Sequence, residues 1–557
     1  MFVVESDLLD GCWIVIPARG GSRGIPRKNL ILCARQPLIQ HVIETAVSAS
    51  SATRVVVISD DEEIVWFARQ FGVHTIHEAN QSGPDETLDE KIVRNIPGLR
   101  TLGALDTDVV LTVQPTSPLL TQSTIKRCFE QLDARHRSVV TVVEDRHLTW
   151  SLSDGGYAPA PLFENRVNRQ MIPPVFRETG GVIGARLGDI FAAGTRVVDP
   201  VGLVKVSERE GIDIDTFGDL FEAEHWISRA KIVIRADAGV KLGMGHIYRG
   251  IAIAQELSRH DVILAIDADD TIAANLLRET PFDFNLVSDT REFCELLATL
   301  QPDLLIVDIL GTESEDVARW RKSSGGMKIV TFEDDGEGAK LCDAQVYDLT
   351  SPPGKDYVNA VVGIDKAILA PSFELVSKSQ RRAVADRPLL VSFGGSDPAG
   401  LTGKVLTALE ILEFPGKVTV VTGLGAQKPD LLDRRIIVEY RENVRHMALL
   451  VSEHKLAISS MGRTVFELAE IGVPALCFAQ NQAESAHIHV GPETGTVFGG
   501  LGYELSPEEI ATRVEKFLRD KTLHQDLIDS SAKFRAVRSN RGVIDAILAK
   551  VGLPLLS

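Results

Sequence analysis

The sequence predicts an α/β protein: a Rossmann-like domain followed by two further Rossmann-like lobes that face one cleft. Three observations lead there. Apolar stretches of strand length alternate with helical stretches almost from end to end, which implies parallel sheets covered by helices. An apolar strand at residues 13–17 runs into a glycine-rich turn. A second strand, at 231–235, runs into another glycine turn and then a helix. The length of 557 residues allows roughly three to four domains, and the divisions expected are 1–228, 229–380 and 381–557.

In chain order, 13–17 reads as a strand, 36–49 as a helix, 54–59 as a strand, and 61–71 as a helix that stops at Gly72. Residues 109–113 form a strand, 123–132 a helix and 138–143 a strand, and a helix at 216–228 closes the first domain. Strand 231–235 follows with no Pro/Gly-rich linker, so a packed interface or a stiff connection is expected. Helix 245–258 and strands 304–307 and 328–332 belong to the next lobe. The polar stretch 377–386 separates it from strand 389–393. Strands 417–421, 436–440, 456–459 and 475–478 complete the last set. There is no short-period repeat and no low-complexity tract.

The formal net charge of −18 argues against nucleic acid and anionic membrane as partners. Hydrophobic content of 44% and charged content of 24% are those of an ordinary globular chain. The cysteines (Cys12, Cys33, Cys128, Cys294, Cys342, Cys477) form no CxxC pair, so neither a disulfide framework nor a zinc site is indicated. The first residues, MFVVESDLLDGCW, lack the basic start of a signal peptide, and no run of about 18 apolar residues predicts a membrane span. A cytoplasmic location is expected.

Against that acidic background, Ile14 to Asn29 (IVIPARGGSRGIPRKN) is a strand entering a basic loop. Gly20, Gly21, Gly24 and Ser22 let backbone N–H groups turn toward an anion, and Arg19, Arg23, Arg27 and Lys28 add positive charge. A polyphosphate is the ligand such a loop fits; a solvated basic turn is the plainer alternative. The spacing matches neither the Walker nor the dinucleotide-binding glycine pattern. Farther on, Asp213 and Asp215 lie two apart in an extended Ile-Asp-Ile-Asp segment, so both carboxylates are expected on one face. Paired hard oxygens suit Mg²⁺; alternatively Asp215 or Thr216 caps the next helix.

The loop resembles the signature of the CMP-sugar synthetases, cytidylyltransferases that activate sialic-acid-like and other nonulosonic acids. Three more segments resemble that family's motifs in order: Val113-Gln114-Pro115-Thr116-Ser117-Pro118-Leu119, then Asn168-Arg169-Gln170 with Pro173-Pro174, then Ile212-Asp213-Ile214-Asp215-Thr216. The resemblance covers about residues 1–228. It implies CTP and a nonulosonic acid as substrates, with Arg19, Lys28 and Asn29 on the nucleotide and Arg23 and Arg27 supporting them. It implies Asp213 and Asp215 on Mg²⁺, and Asp85, Gln114, Arg169 and Gln170 toward the sugar acid; ordinary polar surface is the alternative for these four. It also implies a homodimer joined through a hairpin near 144–175. Glu78-Ala79 stands where the family usually has Arg-Pro, and Thr179-Gly180 where it has Asn-Gly.

In the second half, Arg235-Ala236-Asp237 followed by Gly243-Met244-Gly245-His246-Ile247-Tyr248-Arg249 resembles the UDP-sugar hydrolase of pseudaminic acid biosynthesis, a relative of the two-lobed GT-B glycosyltransferases. Ser392-Phe393-Gly394-Gly395-Ser396-Asp397-Pro398, Ser459 through Glu467, Gly472-Val473-Pro474 and Asn481-Gln482 follow its later motifs. A GT-B-like module of two Rossmann-like lobes is therefore expected over about 230–550, taking a UDP-sugar. Gly245, Gly394, Gly395, Ser396, Gly462, Arg463, Thr464 and Glu467 are the nucleotide-binding candidates. Arg235, Asp237, Asn481 and Gln482 are those for the sugar. His246 is the residue to position or activate water, with a simple helix-cap role as the alternative; for Glu467 the alternative is a solvated first-turn acid. Met461 and Arg463 replace a glycine and a small polar residue, so Met461 is expected to narrow the loop. Ile309-Leu310 after Asp308 lacks a tyrosine often found there. A GT-B glycosyltransferase and a non-catalytic nucleotide-sugar or oligomerisation module remain open readings of this half.

Overall fold

A computed structural model describes the chain except residues 1–8, 22–23, 79–85, 133–134, 154–155, 160–166, 238–243, 310, 379–387, 396, 424–425, 427–434, 443, 445 and 554–557. The candidates Ser22, Arg23, Asp85 and Ser396 lie outside the described residues. The chain divides into two compact units, 1–228 and 229–557.

The first unit holds a seven-stranded sheet of Cys12–Pro17 (β1), Val55–Ser59 (β2), His74–His77 (β3), Val109–Val113 (β4), Ser138–Asp145 (β5), Val175–Arg186 (β6) and Val201–Lys205 (β7). The spatial order is β7-β5-β6-β4-β1-β2-β3. All six residues of β1 are buried, as expected of a central strand covered on both faces. Helix Leu38–Ala49 buries Leu38, Ile39, Val42, Ile43, Ala46 and Ala49, one stripe at helical spacing.

Two differences from the sequence reading have local causes. The helix starts at Leu38 rather than 36, because Gln36 and Pro37 pair with Leu32 and Cys33 in a short hairpin. The sheet is mixed rather than parallel: β6 runs antiparallel to both β4 and β5. Its register shifts between Glu178 and Ile183, around Gly180-Gly181, and that bulge breaks the alternation by which a strand is read. A separate hairpin, Trp150–Ser153 with Gly156–Pro159, stands within 144–175.

The second unit holds two wholly parallel sheets. The first lobe's strands are Lys231–Ala236 (β8), Asp261–Asp267 (β9), Asp283–Val287 (β10), Leu304–Asp308 (β11), Lys328–Phe332 (β12), Ala344–Tyr347 (β13) and Ala360–Val362 (β14). They lie in the order β10-β9-β8-β11-β12-β13-β14. The second lobe's are Leu389–Ser392 (β15), Lys417–Thr422 (β16), Ile437–Glu442 (β17), Leu456–Ser460 (β18), Ala475–Phe478 (β19) and Thr496–Gly500 (β20), in the order β17-β16-β15-β18-β19-β20. Each is the doubly wound order, which reverses direction beside its first strand and opens a crevice at the carboxyl ends there. The switch points are β1/β4, β8/β11 and β15/β18.

The last helix, Asn540–Val551, does not cover the second lobe. Its Val543, Ile544, Ile547, Leu548 and Val551 pack with Ile232, Ile234 and Leu264 of the first. Asn540 fastens the crossing: its Oδ1 accepts from the Leu369 N–H at 3.0 Å and its Nδ2 donates to the Leu369 carbonyl at 2.7 Å. The first lobe is therefore completed by the end of the chain. Among the described residues, no helix is long and apolar enough to cross a membrane.

Because Ile547 is almost fully buried in the first-lobe core, Ile547→Ala is expected to destabilise the second unit by about 2–5 kcal/mol. Calorimetry should show the second unit's transition lowered and the first unit's unmoved.

Candidate functional site

In the first unit, three sequence motifs meet at the β1/β4 switch point. Ala18 continues β1 by donating to the Ile58 carbonyl at 2.8 Å. Gly20 N–H then donates to Asp60 at 2.8 Å, and a Cβ on Gly20 would strike Asp61 at 2.6 Å. Asn29, buried, donates to the Arg19 carbonyl at 2.9 Å and pins the two ends of the loop together. Arg27 takes a left-handed conformation, φ 54°, and pairs with Glu63 at 2.5 Å. Lys28 reaches across to the fourth motif, donating to the Ile214 carbonyl at 2.6 Å and to Asp215 at 2.9 Å. Gly24 lies so close that a Cβ would meet the Asp215 carbonyl oxygen at 2.5 Å. Ile214 N–H donates to the Thr116 carbonyl at 2.9 Å, which brings in the segment after β4.

The two aspartates differ. Asp213 is partly buried, and its Oδ1 is buried with no hydrogen-bond partner. Burial pushes its carboxyl up, against the pull of the Thr116 hydroxyl, with Asp215 pushing the same way as burial and Lys28 opposing. Asp215 is exposed, with its carboxylate on Lys28. The segment is not a strand, and buried Ile214 stands between them. Thr216, not Asp215, caps the following helix, in a capping box with Asp219. An orphaned carboxylate oxygen beside a second carboxylate fits a hard cation that brings its own oxygens. No group of three or more His, Cys, Asp or Glu among the described residues forms a closed metal cage.

Gln114 follows β4, and its side chain lies against Gly180: a Cβ there would meet Nε2 at 2.6 Å, and φ is +70°, so glycine is needed twice over. Thr179 turns inward instead, sharing a 2.9 Å hydrogen bond with Thr141. Arg169 and Gln170 are exposed. Arg169 pairs with Glu208 at 3.2 Å, and neither is hydrogen-bonded or ion-paired to Lys28, Asp213 or Asp215 among the described residues. Glu78, in place of the usual arginine, is buried against Lys91 at 2.7 Å and Arg94 at 2.6 Å. Burial alone would raise its carboxyl, but these bonds and one from Asn95 hold it below its usual range. The residues that sequence reasoning missed are Asp60 and Asp61, which anchor the loop, and Thr116 beside Asp213. Only Thr116 carried a signal, by its place in the second motif.

In the second unit, helix Gly245–Glu256 follows β8, and among the described residues no side chain caps its start; the first-turn N–H groups of such a helix suit an anion. His246 Nδ1 meets Asp308 Oδ1 at 2.7 Å, at the end of β11. Arg249 donates from Nε to Asp308 Oδ2 at 2.6 Å. Burial would raise Asp308, yet the Arg249 charge and the His246 and Arg249 hydrogen bonds hold it far below the carboxylate range. It is therefore a carboxylate and can only accept, so His246 Nδ1 is the donor, and among the described residues Nε2 has no hydrogen-bond partner. Arg235 pairs with Asp237 at 2.8 Å; burial raises the Asp237 carboxyl, while Arg235 and His246 lower it.

The second lobe's loops arrive at β15/β18. Gly394 has φ 80°, and Gly395 lies 2.6 Å from the Cβ position of Gly423. Arg463 binds Asp348 bidentately, at 3.0 and 2.8 Å. Thr464 opens the helix Thr464–Ile471, and Glu467 stands one turn on, half-buried. Burial pushes Glu467 up to about 7 against the pull of Arg463. Met461 does not narrow the loop: it is buried in a core cluster with Val465 and Phe466, because its flexible apolar chain finds space inward. Among the described residues, only the Ser460 hydroxyl lies near the missing Cβ of Gly462, at 3.5 Å. Asn481 accepts from the Glu484 N–H at 2.8 Å and Gln482 from the Tyr503 hydroxyl at 2.9 Å; both are exposed.

The cytidylyltransferase family model matches residues 13–152. The CMP-N,N'-diacetyllegionaminic acid synthase of Legionella pneumophila is 31% identical over 209 residues, 36% of this chain and 90% of that relative. The spore coat polysaccharide biosynthesis protein SpsG of Bacillus subtilis is 29% identical over 292 residues, 50% of this chain and 85% of that relative. The protein MJ1062 of Methanocaldococcus jannaschii is 28% identical over 277 residues, 46% of this chain, which spans 56% of that relative's length. The last two matches are longer than the first unit, so each takes in part of the second. By the first of these relatives and the family model, the chain belongs to the cytidylyltransferases, with the matched segment inside its first unit.

Proposed function

We propose that the first unit transfers the cytidylyl group of CTP to the anomeric hydroxyl of a nonulosonic acid and releases pyrophosphate. The observation that carries this reading is the meeting of Lys28, Asp213 and Asp215 beside a glycine-rich loop at a sheet switch point. The hydroxyl oxygen bonds to the α-phosphorus, the bond to the bridging oxygen of the β-phosphate breaks, and the hydroxyl proton passes to solvent. Lys28 has three N–H donors and spends two on Ile214 and Asp215, leaving one for a phosphate oxygen. Arg19 is exposed at the same loop and adds charge. Mg²⁺, when bound, supplies neutralisation of the triphosphate; Asp213 and Asp215 would hold it. Gln114 would meet the sugar acid, and Arg169 would suit its carboxylate. The names of the Legionella relative, and of the pseudaminic acid cytidylyltransferase of Campylobacter jejuni, support a nonulosonic acid as the acceptor class. A homodimer joined through the hairpin at 150–159 belongs to the same reading.

The second unit is read as a UDP-sugar hydrolase. His246, with Nδ1 on Asp308, presents Nε2 to take a proton from water; the water oxygen bonds to the anomeric carbon, and UDP leaves with the electron pair. The uncapped helix start at Gly245 receives the diphosphate, and Glu467 the nucleoside.

Pyrophosphate release should require CTP, Mg²⁺ and a 2-keto sugar acid, and Asp213→Asn should slow it by about 100-fold or more. A raised folded pKa means that ionised Asp213 costs stability once pH exceeds the unfolded value. In metal-free buffer at pH 7, Asp213→Asn should therefore melt higher than wild type, while Mg²⁺ should stabilise wild type more.

His246→Ala should abolish UDP release from a UDP-linked amino sugar and leave pyrophosphate release from CTP intact. Transfer of the sugar to an added acceptor, with no free sugar formed, would overturn the hydrolase reading.

With Glu467 at about 7 when folded and 4.5 as its reference, its protonation stabilises the fold fully below about pH 4.5 and ceases to as pH rises through 7. Glu467→Gln should therefore gain on wild type in melts at pH 8 and show little difference at pH 4.

A further inference from the structure

Four buried or largely buried charges alternate in sign through the second unit: Asp308, Arg249, Asp348 and Arg463. Asp308 ends β11, Arg249 lies on the helix that starts at Gly245, Asp348 follows β13, and Arg463 follows β18 in the other lobe. Arg249 forks Asp308 with Nε and Nη2, and its Nη1 stands 3.8 Å from Asp348. Arg463 Nη1 holds both oxygens of Asp348, and its Nη2 donates to the Ile368 carbonyl at 2.7 Å. Both terminal nitrogens of Arg463 are thus engaged by the protein. Its Cδ is also the nearest atom, at 3.8 Å, to the Cβ position of Gly245. The side chain therefore lies beside the start of the helix that carries His246.

We propose that Arg463 is a positioning residue for His246: by holding Asp348 it leaves Arg249 free to fork Asp308, and Asp308 fixes the imidazole. The argument is a charge count. With Arg463 present, two buried carboxylates face two guanidiniums. Without it, both carboxylates compete for Arg249, and a buried carboxylate left unpaired is costly. Arg249 Nη1 already lies close to Asp348, so a modest rotation moves the fork off Asp308 and frees the acceptor of His246 Nδ1. Glu333 adds no positive charge: it is a third acid, turned to accept from the N–H groups of Asp348, Leu349 and Thr350. Burial and the Asp348 charge raise its carboxyl, in keeping with a pocket already crowded with negative charge. A loop of the second lobe thereby sets the aim of a base in the first. This rests on His246 being the reactive group of the second unit.

The test uses the full chain labelled with ¹⁵N-histidine, the His246 ring signals being assigned by their loss in His246→Gln. In its neutral ring, wild type should carry the proton on Nδ1 and leave Nε2 bare. Arg463→Met should move those signals toward a mixture of tautomers. Arg463→Lys, which keeps the charge but not the fork, should move them less. Arg463→Met combined with Asp348→Asn removes both competing charges and should restore the wild-type signals. If UDP release is measurable, Arg463→Met should lower kcat by about 100-fold with KM little changed. His246 signals identical to wild type in whichever of Arg463→Met and Arg463→Lys folds would overturn the proposal. Absence of UDP release from every UDP-sugar offered to wild type would sink the hydrolase reading while the ring signals still decided the role of Arg463.

Discussion

The Lys28 ammonium group donates to the Ile214 carbonyl and to Asp215, and the geometry of the first unit's site depends on that reach. Its chain is largely buried while its partner Asp215 is open to solvent. The lysine is therefore anchored by packing and by the carbonyl, and the carboxylate is the partner free to exchange. A triphosphate with its cation entering here would meet a lysine already aimed and an aspartate able to turn. The lack of side chains on Gly20 and Gly24 makes this approach possible, since a Cβ on either would strike Asp61 or the Asp215 carbonyl.

The second unit solves a related problem with charges of alternating sign. Asp308 and Asp348 are fully buried, each facing arginine, and such pairs do little for net stability but are costly to break singly. Their use is geometric. A carboxylate that can only accept determines which histidine nitrogen carries the proton, and it leaves the other toward the cleft. Both units thus place their charged clusters at the carboxyl ends of strands beside a reversal of strand order, where backbone loops diverge and leave room for a ligand.

Much of this was legible in the chain. Central strands such as residues 12–17 and 389–391 are unbroken apolar runs because helices cover both faces, and glycine turns mark where each enters its loop. The strand at 175–186 was hidden because its charged first half and the Gly180-Gly181 bulge destroy the period of two. The final helix reads as an ordinary amphipathic cover, and nothing local says that it returns to the earlier lobe. Motif order grouped Lys28 with Asp215, and the two side chains meet in the fold. The partners of buried charges were not legible: Glu78 finds Lys91 and Arg94 from its own unit, and Arg463 finds Asp348 more than a hundred positions away. Long-range ion pairs leave no periodicity behind. Met461 shows the converse: a large residue in a loop suggests a narrowed loop, but an apolar core takes it up.

The most direct test of the central claim is a crystal structure of the full chain soaked with CTP and Mg²⁺. The account predicts the triphosphate against the loop that runs from Arg19 to Asn29, a Lys28 N–H on a phosphate oxygen, and the cation between that phosphate and the carboxylates of Asp213 and Asp215. A triphosphate bound elsewhere on the chain, or a cation coordinated without either aspartate, would contradict it.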